Sequence, residues 1–138
     1  MKLKRPPSPV STSSQVLVQY RHENATWKRI LGYLIEENII LKTRLSEILQ
    51  NSFAGDNEFL DKIEYFQNQF LKEDEIFGYL KLDILEQEQL LDPANPEESD
   101  KFPLIKRNQK KLTKELELAE KVFNTLKFEF NTYLSEIL

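Results

Sequence analysis

The run Leu31-Gly32-Tyr33-Leu34-Ile35-Glu36-Glu37-Asn38-Ile39-Ile40-Leu41-Lys42-Thr43-Arg44-Leu45 decides the fold. Leu31, Leu34, Asn38, Leu41 and Leu45 follow one another in steps of three and four, which is the spacing of one face of a helix and not the alternation of a strand. The same steps run back through Trp27, Asn24, Tyr20 and Leu17 and forward to Ile48. Two further segments repeat the pattern. One carries Phe59, Ile63, Phe66, Phe70, Glu73, Phe77, Leu80, Ile84, Gln87 and Leu91, and the other Ile105, Gln109, Leu112, Leu116, Ala119, Phe123, Leu126, Phe130, Tyr133 and Ile137. A mean period of about 3.5 residues held over about five heptads predicts long helices packed nearly parallel with a left-handed twist.

The helix breakers fall between these segments. Pro6, Pro7 and Pro9 lie near the start, and Pro93, Pro96 and Pro103 lie close together, leaving two long proline-free blocks. Residues 1–12 read as a disordered basic Pro/Ser tail, too polar to bury enough apolar surface to offset ordering. A first helix is expected over about 13–53, with Ser13 or Ser14 as N-cap and Ala54-Gly55 closing it. A second, capped by Asp56 or Asn57, is expected over 56–91, ending at Asp92-Pro93 because the residue before proline avoids the helical region. The third is expected over about 100–138. The tight Ala54-Gly55 connection makes the first pair an antiparallel hairpin, and the proline-rich loop returns the third helix beside the first. The fold class is therefore all-α, a spectrin-like or coiled-coil-like antiparallel three-helix bundle.

Charge agrees with that topology. Residues 1–54 carry 8 basic and 4 acidic side chains, residues 55–100 carry 3 and 14, and residues 101–138 carry 8 and 5. The acidic middle helix can touch both basic neighbours, which selects the arrangement more than it stabilises it, since a surface ion pair contributes about 0–1 kcal/mol. The absence of cysteine excludes disulfides, Cys-ligated zinc, iron–sulfur clusters and thiol catalysis. The basic start is followed by Pro and Ser and not by an apolar run, so no secretory signal is expected. No apolar stretch approaches the roughly 20 residues of a membrane span, and a cytoplasmic protein is the expectation.

Several features bear on function. The segment from Leu34 to Leu45 resembles a leucine-zipper segment, in which one buried Asn sets register and oligomer state. No basic region precedes it in a continuous helix, so DNA binding does not carry over. Within a bundle, Asn38 would share a polar layer with Glu73. Lys101, Lys106, Arg107, Lys110, Lys111 and Lys114 form a basic run free of acidic residues at the expected start of the third helix. Positive charge there opposes the helix macrodipole and asks for an anionic neighbour. Asp83, Glu86, Glu88 and Asp92 are the expected partners, and a nucleic acid or an anionic surface is the alternative.

His22, the sole histidine, is expected to be a solvated surface side chain. Histidine phosphotransfer domains are also helical bundles, but that family places a Lys and a small residue just after the His. Here Glu23-Asn24-Ala25-Thr26 follows, so phosphotransfer stands as a remote alternative. One histidine cannot supply the two Glu-x-x-His pairs of a di-iron bundle, and no metal site, cofactor or small-molecule substrate is inferred.

A second stripe runs beside the seam. Val18, Ala25, Gly32, Ile39, Ser46 and Phe53 carry no charge, and Leu71, Gly78 and Leu85 occupy the matching position of the second helix. Folding the hairpin at residue 55 puts Gly32 level with Gly78, Ile39 with Leu71, and Ala25 with Leu85. Glycine in a helix interior costs about 1 kcal/mol relative to Ala, so two at one level suggest that something packs closely there. If the third helix covers the stripe, the stripe is core; if not, it wants a partner helix. Ile40, Leu82, Leu104, Leu118 and Phe128 fall outside both stripes, which favours self-association. The expected function is a non-enzymatic protein–protein interaction or oligomerisation module using Gly32, Tyr33, Ile39, Leu71, Gly78 and Tyr79.

Overall fold

Three helices account for almost all of the described chain: α1 (Pro9–Asn51), α2 (Asn57–Leu90) and α3 (Phe102–Ile137). The structure, a computed structural model, describes residues 9–51, 56–95 and 98–138. Phe53 and the Ala54-Gly55 connection lie outside those residues, as does most of the expected tail. Helix α1 starts at Pro9, earlier than Ser13. Proline is well placed in a first turn, where its missing N–H would have had no partner in any case, so the helix extends back into what reads as tail. Asp56 caps α2, its Oδ1 accepting from the Glu58 N–H at 2.9 Å. At the other end of α2, the Leu91 N–H donates to the Gln87 carbonyl at 2.9 Å, and Asp92 accepts from the Ala94 N–H just beyond. Pro103 lies in the first turn of α3, which has no side-chain cap.

The topology follows from which residues meet. Asn24 reaches Ile84 and Asn38 reaches Phe70, so α1 and α2 run in opposite directions. Gln87 meets Gln109, Phe77 meets Phe123 and Phe66 meets Phe130, so α2 and α3 are also antiparallel. Gln109 reaches Tyr20 and Lys127 reaches Glu37, which sets α3 parallel to α1.

The seams are the interior. Leu31, Leu34, Leu41, Phe70, Phe77, Ile84, Phe123 and Phe130 are all buried in one apolar core. Its centre is aromatic: the Phe70 and Phe130 rings meet edge to face at 5.1 Å, and Phe66 lies 5.2 Å from Phe130. The last step of the α3 seam differs from the expected one. Leu134 is buried, Tyr133 is half-buried and Ile137 is exposed. A helix of 3.6 residues per turn drifts about 20° per heptad, and by the end of α3 that drift has brought Leu134 to the core in place of Tyr133, leaving Ile137 outside.

A second, smaller apolar cluster sits at the other end of the rod, where Leu17, Leu91 and Ile105 pack with Tyr20, Leu90 and Phe102. Between the two lies a layer of amides that joins all three helices. Gln87 Nε2 donates to the Ile105 carbonyl at 2.9 Å and to Gln109 Oε1 at 3.0 Å. Gln109 Nε2 in turn reaches the Tyr20 carbonyl and Glu23 Oε2, each at 3.4 Å, and Asn24 Nδ2 reaches the Ile84 carbonyl at 3.5 Å.

Candidate interaction surfaces

Asn38 is fully buried, and its Nδ2 donates to the Phe70 carbonyl at 3.0 Å and to Asp74 Oδ1 at 2.7 Å. Lys42 Nζ closes on the other Asp74 oxygen at 2.5 Å. Asn38 and Glu73 are both buried, but the Asn38 amide bonds Asp74, which Lys42 also meets, and no hydrogen bond joins it to Glu73 among the described residues. Asp74 flanks the seam and keeps contact with water and with a cation while it accepts from the amide, which a carboxylate inside the core could not do. Glu73 is 4% exposed, one of its oxygens has no hydrogen-bond partner, and burial pushes its carboxyl above the ordinary value. Glu37 shifts the other way. The ammonium of Lys127, 3.1 Å away, and then the Tyr33 hydroxyl hold its carboxyl below the usual range and tie α1 to α3.

The second stripe is not covered by α3. Val18, Ile39, Leu71 and Leu85 are exposed on the outer side of the α1–α2 hairpin; Tyr33 and Tyr79 are exposed too, Tyr33 beside Glu37 on the side of α1 nearer α3. Each helix has one core-facing arc, the core lies where three such arcs meet, and the stripe is displaced from that arc on both α1 and α2. Beside Gly32 the hairpin has a surface depression of about 280 Å³, floored by Leu31, Ile35, Ile84 and Leu85 and edged by Lys28, Glu36 and Lys81. Gly78 does not line it. The level pairing of the two glycines is thus not a shared groove floor, and neither glycine is crowded: a Cβ added at either meets nothing within 4 Å. Gly78→Ala is accordingly expected to stabilise the chain by about 0.5–1 kcal/mol through helix propensity alone, measured as a raised urea midpoint.

The basic run also departs from expectation. Lys106, Arg107, Lys110, Lys111 and Lys114 are exposed, and among the described residues Lys111 alone meets a carboxylate, Glu115 at 3.7 Å on the same helix. The acidic end of α2 is engaged elsewhere. Glu88 pairs with Lys28 at 2.7 Å and Asp92 caps the loop, while Arg21 holds the Leu91 carbonyl and Glu98, each at 2.5 Å. Rotation explains the difference: with Ile105, Gln109, Leu112 and Leu116 turned into the bundle, the five cations fall on the opposite side of α3, away from α2. A helical wheel drawn from that seam carries this signal in the sequence.

His22 is an exposed side chain of α1, its carbonyl accepting from the Thr26 hydroxyl at 3.1 Å. Among the described residues, no group of three or more His, Cys, Asp or Glu is placed to hold a metal ion, and no helix is long and apolar enough to cross a membrane. Comparisons with protein-family models, curated proteins and solved structures return no match.

Proposed function

We propose that this chain is a non-enzymatic, cytoplasmic interaction module that pairs with a second copy of itself through the outer face of the α1–α2 hairpin. The reading rests on one observation: apolar side chains of the stripe are exposed, Ile39 at 50% and Leu71 at 53%, and further along the same stripe Gly32 and Leu85 line a depression that no described residue fills. Exposed apolar side chains lined up along one face are typical of an interface. A second copy suits it because the rim carries both signs, Lys81 and Glu36, as a face meeting its own twofold image requires.

Light scattering tests the reading. The wild type is expected at twice the chain mass, and Gly32→Glu, which sets a carboxylate in the depression, at the chain mass. Because a Cβ at Gly32 meets nothing within 4 Å, the substitution leaves the helix intact, and circular dichroism is expected to match the wild type. A monomeric wild type, or a variant that keeps the wild-type mass, removes the basis for self-association through this face.

A further inference from the structure

We infer that the outward face of α3 docks the protein onto anionic lipid bilayers, independently of the hairpin face. Lys106, Arg107, Lys110, Lys111 and Lys114 fall within an arc of about 140° and along about 12 Å of the helix axis. No acidic residue interrupts positions 101–114, and Lys106, Arg107, Lys110 and Lys114 meet no carboxylate among the described residues. The cluster spans the second to fourth turns of α3, and the first turn before it carries no acidic residue. Five cations of one sign on one exposed face make an anionic partner the complementary one.

Continuity along the helix favours a lipid surface over a nucleic acid. The same side of α3 carries on, one to two turns beyond Lys114, into exposed Leu118 and Lys121, with Val122 at its edge and one exposed acid, Glu117, on it. Cations followed by exposed aliphatic groups match an interfacial helix, whose charges meet headgroups while its apolar side chains enter the acyl boundary. A phosphodiester backbone has no corresponding use for Leu118 and Val122. A straight helix face also lies flush on a plane, whereas a duplex crossing the rod meets only a short part of it. The exposed acids of α2, Asp61, Glu64, Glu75 and Glu86, lie on another helix and are repelled by the same surface, which turns α3 towards it.

Sedimentation with phosphatidylcholine vesicles, with and without phosphatidylserine, tests the inference. Binding is expected only with phosphatidylserine and is expected to fall away between about 0.1 M and about 0.5 M salt. Each Lys or Arg near such a surface strengthens partition about fivefold, so Lys110→Gln with Lys114→Gln is expected to weaken it about 30-fold. Leu118→Ser with Val122→Ser is expected to weaken it several-fold while leaving the salt dependence in place. All four side chains are exposed, and circular dichroism is expected to show unchanged helicity for both pairs. A wild type that ignores anionic vesicles overturns the inference, as does equal binding to neutral ones or indifference to the lysine pair. Binding to duplex DNA that survives the Leu118/Val122 change, without binding to vesicles, assigns the face to nucleic acid and overturns it too.

Discussion

Phe130→Ala is expected to cost about 3–5 kcal/mol, the range of the costliest core truncations. Phe130 has no exposed surface, and its ring sits between Phe70 at 5.1 Å and Phe66 at 5.2 Å, both on the facing helix. Truncation removes the transfer free energy of the ring and leaves a void that two flanking aromatics cannot both collapse into. Urea unfolding followed by circular dichroism reads the loss directly. A cycle with Phe70→Ala isolates the edge-to-face pair, for which a coupling of about 0.5–1.5 kcal/mol is expected beyond buried area. A loss below about 1 kcal/mol for Phe130→Ala would mean that α3 does not pack on α2 through this layer.

Substitution of Glu73 is expected to act in the opposite direction. Its carboxyl is buried with one oxygen unpartnered, and desolvation raises its pKa above the ordinary 4.5. Between that value and the raised native one, the native state holds a proton that the unfolded chain has released. The stability from this group is fully present below 4.5 and is lost as pH rises through the raised native value. Glu73→Gln is expected to raise stability at pH 7, because the neutral amide leaves no charge to desolvate, and to gain little near pH 4. Parallel unfolding curves at the two pH values check this, and equal gains at both would assign the effect to packing. Glu37 contributes a limb of opposite slope: its depressed carboxyl adds stability above the unfolded value that is lost on acidification.

Nearly all of the interior was legible from the spacing of apolar residues, because a helix turns each side chain by a fixed angle and a sustained step of three and four can bury only one face. Even the polar members Asn24, Asn38, Glu73, Gln87 and Gln109 were assigned to the seam and are buried there. What spacing could not convey was who meets whom. Asn38 takes Asp74 over Glu73, a difference of one residue that depends on which carboxylate still touches water and Lys42. The side of the hairpin that α3 covers was equally hidden, since an uncharged stripe reads alike whether it is core or interface. The basic run failed for a different reason: sequence proximity to the acidic end of α2 suggested pairing, while the rotation dictated by the seam turned those cations outward.

The amide layer of Asn24, Gln87 and Gln109 has a consequence for how the helices can be mis-set. Heptad seams are translationally degenerate, because one helix can slide by seven residues along its neighbours, about 10 Å, and still meet an apolar face. A slip of α3 by one such step puts Phe102 or Leu116 where Gln109 belongs. Gln87 Nε2 then loses Gln109 Oε1, and the Tyr20 carbonyl loses its donor. Each amide orphaned in this way costs about 1–3 kcal/mol, so the shifted rod is the less stable one although its oily contacts are nearly as good. The layer thus works as a vernier mark, allowing three smooth rods to lock at one setting among several that apolar packing alone would accept.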